Sequence, residues 1–411
     1  MRLPERYRWL LWLSLAEIGT MLVFNNYAAL LPILQKEWSL TNSQAGWIYS
    51  SYQIGYLLAV VLLTSLTDYV PTPYIYILSS FWAGGAGMLF AFWAEGFNSA
   101  LILRTLMGIG FAGTYMPGLR MVSERFGPFE RGRAVGIYVG TFTLGAAISL
   151  FVTGTLYSLY SWRWAFFLTS LGPMLGGFLA LFTFGKGAAA KGEEGRRMPL
   201  REILNHRPAL RMIGGYAAHM WEMFGMRGWI VAFLTACLLT DQGGIEKATS
   251  LSAVIASFVT LAGALSNAIG GALSDRFGRV PTIIVVMVGS SLLSLSIGWM
   301  RGAPLPWIVG LSILYGFLVT GESSVLSTGI TELAPRGGLG RTLALQSFLG
   351  WTAASLSPIA FGFVLDLTNP AEAAVRTGYV ANWGWAFMVL GLGAMIGPFL
   401  LWPLKQKPLD R

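Results

Sequence analysis

Apolar residues arrive in long runs along this chain, and short polar stretches separate them. A bilayer's hydrocarbon core of about 30 Å takes roughly 20 residues of helix. Twelve segments fit: 9–34, 45–66, 73–94, 98–120, 134–157, 164–184, 209–239, 249–273, 281–300, 304–329, 342–365 and 380–403. The runs are far longer than the segments of about ten residues that build a membrane β-barrel. The pattern therefore predicts an all-α membrane protein with twelve transmembrane helices. The first run exceeds the apolar core of a signal peptide and lacks a small-residue cleavage site, so it is expected to stay in the mature protein.

The loops between the runs assign the sides. With the N-terminus inside, 21 of the 28 Lys and Arg fall on the cytoplasmic face, five fall outside, and two, Arg104 and Arg227, lie within spans. Excess basic residues mark cytoplasmic loops, so both termini are expected in the cytoplasm. The localisation that follows is a multi-pass protein of the bacterial cytoplasmic (inner) membrane.

Composition sharpens this picture. The chain has 411 residues, of which 55% are hydrophobic and only 11% charged, against about 25% charged in soluble domains. Too little polar surface remains to cover a water-soluble globule of this length. A net charge of +9 would point to nucleic acid in a soluble protein. Here it resides in loops, so the expected surroundings are the lipid bilayer and no nucleic acid. One cysteine, Cys237, excludes an intramolecular disulfide. With only His206 and His219 beside it, no structural metal site and no cofactor are expected.

The longest polar stretch, "GKGAAAKGEEGRRMPLREILNHRP", divides the chain into residues 1–184, a cytoplasmic linker at 185–208 with a short amphipathic helix near 200–204, and residues 209–411. The two long parts resemble each other. "ERFGPFERGRA" (124–134) aligns with "ELAPRGGLGRT" (332–342), with Glu and Arg nine apart in both. "SWRWAFF" (161–167) answers "NWGWAFM" (382–388), and "TSLTDYVPTP" (64–73) answers "GALSDRFGRV" (271–280). This is the signature of a duplicated six-helix unit.

The stretch "GGALSDRFGRVP" (270–281) closes one span and opens the next. Its Gly-x-Leu-x-Asp-Arg-x-Gly-Arg run resembles the cytoplasmic loop signature of the major facilitator superfamily. Arg104 followed by Gly108 and Gly110 in span four and the "WRWAFF" turn before span six extend the resemblance over the whole chain. It implies two pseudo-symmetric six-helix bundles working by alternating access. It also implies a latch between the halves, carried by Asp275, Arg276, Gly278 and Arg279 and, in the first half, by Asp68. Gly271 and Gly278 are expected to permit close packing and a tight turn, and Asp275 to face a helix N-terminus. The first copy departs from the signature: only Leu66 and Asp68 remain, with Thr64, Tyr69, Pro71 and Thr72 at its other positions. In span five, Ser149 and Leu150 stand where the resemblance to antiporters would place Gly-Pro, which speaks against a drug exporter.

Ionisable residues inside a bilayer cost at least about 2.5–3.5 kcal/mol at its centre and are functional candidates. Here they are Glu17 in span one, Arg104 in span four, His219, Glu222 and Arg227 in span seven, and Glu322 in span ten. The resemblance implies that these four spans line the central cavity. Arg104, Arg227 and His219 are candidate binders of an anion, Arg for its planar fork, with Tyr27 and Trp351 as aromatic walls; Arg104 is also open to a coupling role or to that of an anchor that snorkels outward. Glu17, Glu222 and Glu322 are candidate proton carriers. His219 and Glu222 lie three apart and share a helix face, a spacing open to proton exchange near neutral pH or to a static hydrogen-bonded pair that satisfies a buried acid. Glu17 is open to two readings, a proton site or a static carboxylate capped by Asn25 or Asn26. Glu322 is likewise open to a proton role or to a fixed pair with a span-seven cation.

No phosphate-cradling loop or catalytic constellation stands out, so the chain reads as a carrier and not an enzyme. The expected function is proton-coupled transport of a small organic anion by a monomer. Two alternatives stand beside it: a proton-coupled exporter of hydrophobic cations, and a channel or non-transporting receptor on the same fold.

Overall fold

The computed structural model describes residues 4–183, 199–239, 244–335, 337–369 and 382–404. Among these the regular structure is helical, with no strand. The first part of the chain holds α1 (Glu5–Met21), α2 (Asn26–Glu37), α3 (Asn42–Leu66), α4 (Thr72–Trp93), α5 (Phe97–Ala112), α6 (Tyr115–Arg125), α7 (Pro128–Leu159) and α8 (Trp162–Thr183). A short α9 (Leu200–Asn205) sits where the amphipathic turn of the linker is expected. Residues 184–198, which carry most of that linker, lie outside the described residues. The second part holds α10 (Arg207–Leu238), α11 (Ile245–Phe277), α12 (Arg279–Ile297), α13 (Leu305–Gly321), α14 (Ser323–Leu333), α15 (Leu339–Thr368) and α16 (Gly384–Leu401).

Three expected spans are two helices in series: α1–α2, α5–α6 and α13–α14. Among the described residues ten stretches are long and apolar enough to cross a membrane. The α5–α6 pair and α10 are not among them. Arg104 and the break at Gly113–Thr114 interrupt the former, and His219, Glu222 and Arg227 dilute the latter. The outward faces of the other helices are apolar: Leu62, Phe182, Val285, Trp307 and Phe399 are all strongly exposed. Such faces belong against lipid.

The helices form two compact units. One contains Met1–Leu40, Trp47–Gly192 and Leu239–Ser257; the other contains Thr41–Gly46, Glu193–Leu238 and Phe258–Arg411. A division at the linker places residues 41–46 and 239–257 otherwise. The reason is local packing: the first turn of α3 seats on α15, and the start of α11 packs on α7, where Ser250 Oγ donates to Gly154 O at 2.8 Å. Within the first unit α4 packs on α8 and α5, and α1 packs on α8 and α7. In the second, α12 packs on α16 and α13, and α10 packs on α16 and α15. The pairings repeat in order, as a duplicated unit requires. Each unit has its own core, around Leu13, Tyr76 and Tyr138 in one and Ile283, Met287 and Leu326 in the other.

Candidate functional site

In the first unit the break after α1 supplies the setting. Leu22 to Asn25 leave the helical path, which frees backbone groups that a membrane interior must re-satisfy from within the protein. Ser149 Oγ on α7 donates to Leu22 O at 2.7 Å and accepts Asn25 N–H at 3.1 Å. Asn25 Nδ2 donates to Ala146 O at 3.1 Å. Arg104, projecting from α5, takes the rest. Its Nη1 donates to Val23 O and to Asn26 Oδ1, both at 3.1 Å, and its Nη2 donates to Phe24 O at 3.3 Å. The guanidinium lies 4.6 Å over the Tyr52 ring and 5.7 Å from that of Tyr27, within the range of cation–π attraction. Arg104 is completely buried, and its Nε has no acceptor among the described residues. The fork expected to await a carboxylate is thus engaged with backbone.

Glu17 sits about a turn before the same break, fully buried. Its Oε2 accepts the Tyr138 hydroxyl at 2.9 Å and the Tyr76 hydroxyl at 3.3 Å, while Oε1 has no partner among the described residues. Asn25 and Asn26, the expected caps, are engaged elsewhere. Tyr76 and Tyr138 did not stand out in the sequence as partners of Glu17. A tyrosine on a helix that packs against the acid was the available signal, but spacing along one helix cannot reveal a partner from another.

In the second unit α10 carries His219, Glu222 and Arg227, all buried. The expected His219–Glu222 pair is not formed. His219 Nδ1 instead meets Glu322 Oε1 at 3.1 Å. Glu322 occupies the junction between α13 and α14, where the chain turns it toward α10. Glu222 accepts Ser290 Oγ at 2.8 Å from α12, and Tyr315 donates to Ser294 one turn further along at 2.9 Å. The i, i+3 spacing placed the two side chains on one face, but neighbouring helices supplied better partners. One oxygen each on Glu222 and Glu322, and His219 Nε2, remain without a hydrogen-bond partner among the described residues. Arg227 lies about two turns along α10 from His219 and 6.0 Å from the Phe224 ring. Trp351 on α15 packs on the same Phe224, with ring centroids 5.2 Å apart. Among the described residues no group of three or more His, Cys, Asp or Glu could hold a metal ion.

The loop signature forms one cluster in each unit. In the second, Arg279 Nη1 donates to Asp275 at 2.5 Å and to Ser274 Oγ at 2.6 Å, and its Nη2 donates to Glu332 at 3.1 Å. Asp275 therefore engages an arginine of its own unit. Arg276 lies over the Phe277 ring at 5.3 Å. Gly278 holds φ at +91°, a conformation that L side chains avoid, so the tight turn is as expected. Close packing at Gly271 is not: a Cβ there would meet nothing, whereas one at Gly270 would overlap the Gly321 carbonyl. In the first unit Asp68 accepts Arg120 Nη1 at 2.7 Å, and Arg120 Nε donates to Glu124 at 2.7 Å.

The geometry so assembled comprises buried charges on discontinuous helices of a duplicated bundle. Residues 13–358 match the family model of the Major Facilitator Superfamily, and the chain belongs to that superfamily. It is an integral, multi-pass membrane transporter and not an enzyme. It is 25% identical to a hexuronate transporter of Bacillus subtilis (strain 168), over 89% of each chain. It is also 25% identical to a probable sulfoacetate transporter of Cupriavidus necator, over 91% of this chain and 89% of that one. A solved structure of a bacterial homologue of the human lysosomal transporter Spinster, in an inward-facing and occupied conformation, superposes with a TM-score of 0.79. That match is 15% identical over 100% of this chain and 99% of the other, a likeness of fold.

Proposed function

We propose that this transporter carries a small organic anion across the bacterial cytoplasmic membrane. It does so as a monomer, by alternating access, with protons as the coupling ion and both termini cytoplasmic. The observation that carries the reading is the buried group of the second unit. There the His219–Glu322 pair at 3.1 Å stands with Glu222 and Arg227 in one helix neighbourhood, with carboxylate and imidazole atoms left unpartnered among the described residues. A buried carboxylate with an unpartnered oxygen is a candidate proton carrier, and an arginine on the same helix as Glu222 is a planar binder suited to a carboxylate ligand. Arg227 and His219 are the substrate's cations, with Trp351 and Phe224 as its wall. Tyr27 and Arg104 shape the first-span break of the first unit. Glu17, held by two tyrosine hydroxyls, is the proton site of the first unit, and Glu222 and Glu322 are those of the second. The two relatives named above are described by organic acids, hexuronate and sulfoacetate, which supports the sign of the substrate.

Purified protein in liposomes tests this. Glucuronate or sulfoacetate should accumulate when the outside is acidified, while glucose should not. Glu17→Gln and Glu322→Gln should each abolish accumulation, and at least one should retain exchange of preloaded substrate. Uptake of a hydrophobic cation in place of the acids, or acid uptake indifferent to the proton gradient, would overturn the reading.

A further inference from the structure

Two tyrosine hydroxyls converge on the same oxygen of Glu17, Oε2. That of Tyr76, from α4, donates to it at 3.3 Å. That of Tyr138, from α7, lies 2.9 Å from the same oxygen and 3.4 Å from the backbone oxygen of Tyr115. A tyrosine hydroxyl carries one proton, so Tyr138 must divide it between these two acceptors, and the distances place it on Glu17. Tyr115 is the first residue of α6, directly after the break at Gly113–Thr114. The Tyr115 and Tyr138 rings stack with centroids 6.1 Å apart, which holds the hydroxyl beside the start of α6. A Cβ on Gly118, in the first turn of that helix, would overlap the Tyr138 hydroxyl oxygen. The glycine therefore leaves the notch in which the hydroxyl sits.

The helices packed on α1 leave this choice to the two tyrosines. From α4 and α7 come the hydroxyls of Tyr76 and Tyr138, and α6 adds the stacked ring of Tyr115. Where α8 packs on α1 it presents Gly172 and Gly176, and its one charged residue, Arg163, is bound to the carbonyls of Ala91, Phe92 and Ala94. The charges of α6 and the start of α7 are gathered beside the turn between them. There Arg120 holds Asp68 and Glu124, Arg125 meets Glu5, and Arg6 pairs with Glu130. Arg131 donates to Phe126 O, and Arg133 lies over the Tyr7 ring.

On the reading of Glu17 as a proton site, we propose that Tyr138 is the positioning residue that passes the charge state of Glu17 to α6. While Glu17 is ionised, the Tyr138 O–H points at Oε2 in a charge-assisted bond, the stronger of its two choices. Oε1, which has no partner among the described residues, is the oxygen that takes the added proton. The carboxyl then loses its charge and much of its hold on Tyr138. The O–H turns to the Tyr115 carbonyl and draws the first turn of α6 toward α7. Tyr138 keeps its own proton throughout; only the direction of the O–H changes. Arg120, which bonds Asp68 and Glu124, belongs to the same eleven-residue helix, so a shift at Tyr115 is carried to that cluster.

A nitroxide attached at Ser123→Cys in a Cys237→Ser background tests this, because Ser123 is a partly buried residue of α6. The measurement contains no substrate, so its failure and the failure of proton-driven acid uptake are read separately. The electron paramagnetic resonance spectrum should change as the sample is acidified, and Glu17→Gln should abolish the change. Tyr138→Phe keeps the stacked ring and should abolish it as completely. Tyr76→Phe removes a donor from the same carboxylate oxygen but leaves the Tyr138–Tyr115 contact, and should keep the change. A structural role alone would not separate the two tyrosines in this way. Where Tyr138→Phe fails to insert, Gly118→Ala, which crowds the hydroxyl out of its notch, is read by the same criterion. A response to acid that survives Tyr138→Phe, one lost equally in Tyr76→Phe, or a parent spectrum indifferent to pH would each overturn the proposal.

Discussion

Arg104 is the residue on which sequence and structure differ in emphasis. Its charge and depth in span four suggest a ligand for an anion, but its two terminal nitrogens hold Val23, Phe24 and Asn26 at the break between α1 and α2. A lysine keeps the charge but cannot spread three bonds over that fork. Hydrogen bonds to charged groups are worth about 1.5–3 kcal/mol each. Arg104→Lys should therefore lower the melting midpoint of the substrate-free protein in detergent, and Asn26→Ala should produce part of the same loss. A variant that melts like the parent but no longer binds the organic acid would instead make Arg104 a direct ligand. Which residues are charged inside the bilayer was legible from the sequence. What they touch was not: Tyr138 lies 121 residues from Glu17 and Glu322 lies 103 from His219, and no periodicity along one helix encodes a partner on another.

At the level of elements, the lengths of the apolar runs were enough to place a helix or a helix pair at each of the twelve segments, ten of them long and apolar enough to cross a membrane. The break between α1 and α2 was hidden, because it depends on partners that α5 and α7 supply to the freed backbone. The close helix crossings are the other feature that only packing reveals. On α5, a Cβ at Gly108 would overlap Tyr52 O of α3; at the matching place of the second unit, a Cβ at Gly316 on α13 would overlap Val259 O of α11. Without much hydrophobic drive between helices in lipid, such small-residue contacts are what brings backbones together. Gly108→Ala should thus strain the α3–α5 crossing by about 1–3 kcal/mol, seen as a lower melting midpoint and a smaller monodisperse yield. Gly271→Ala is the control: it adds a methyl group to open space and should leave both unchanged. Equal losses in the two variants would mean that helix propensity or expression, and not the crossing, sets the outcome.

The whole molecule shows what duplication preserved and what drifted. The two units repeat their helix pairings, and each keeps an Asp–Arg–Glu cluster beside the loop of the shared motif. Asp68 corresponds to Asp275 and Glu124 to Glu332, but the arginine has moved. In the second unit it is Arg279, at the first position of α12; the matching residue in the first unit is Thr72. In the first unit it is Arg120, the sixth residue of α6; the matching residue in the second is Thr328, the sixth of α14. The degenerate first copy of the motif is thus compensated, because Arg120 reaches Asp68 and Glu124, both at 2.7 Å. This exchange can be replayed. Arg279→Thr should leave Asp275 and Glu332 without their shared cation. Both acids are substantially exposed, so the cost is modest, about 0.2–1 kcal/mol for each pair. Adding Thr328→Arg puts a guanidinium four residues before Glu332 on α14, the spacing that Arg120 and Glu124 use, and Thr328 is only partly buried. The double variant should recover most of the melting midpoint and transport rate lost by Arg279→Thr. Thr328→Arg alone should change either by much less, since Arg279 would already occupy the acids. Should the double variant be no better than the single one, the position of the arginine within the cluster matters, and the two copies are not interchangeable.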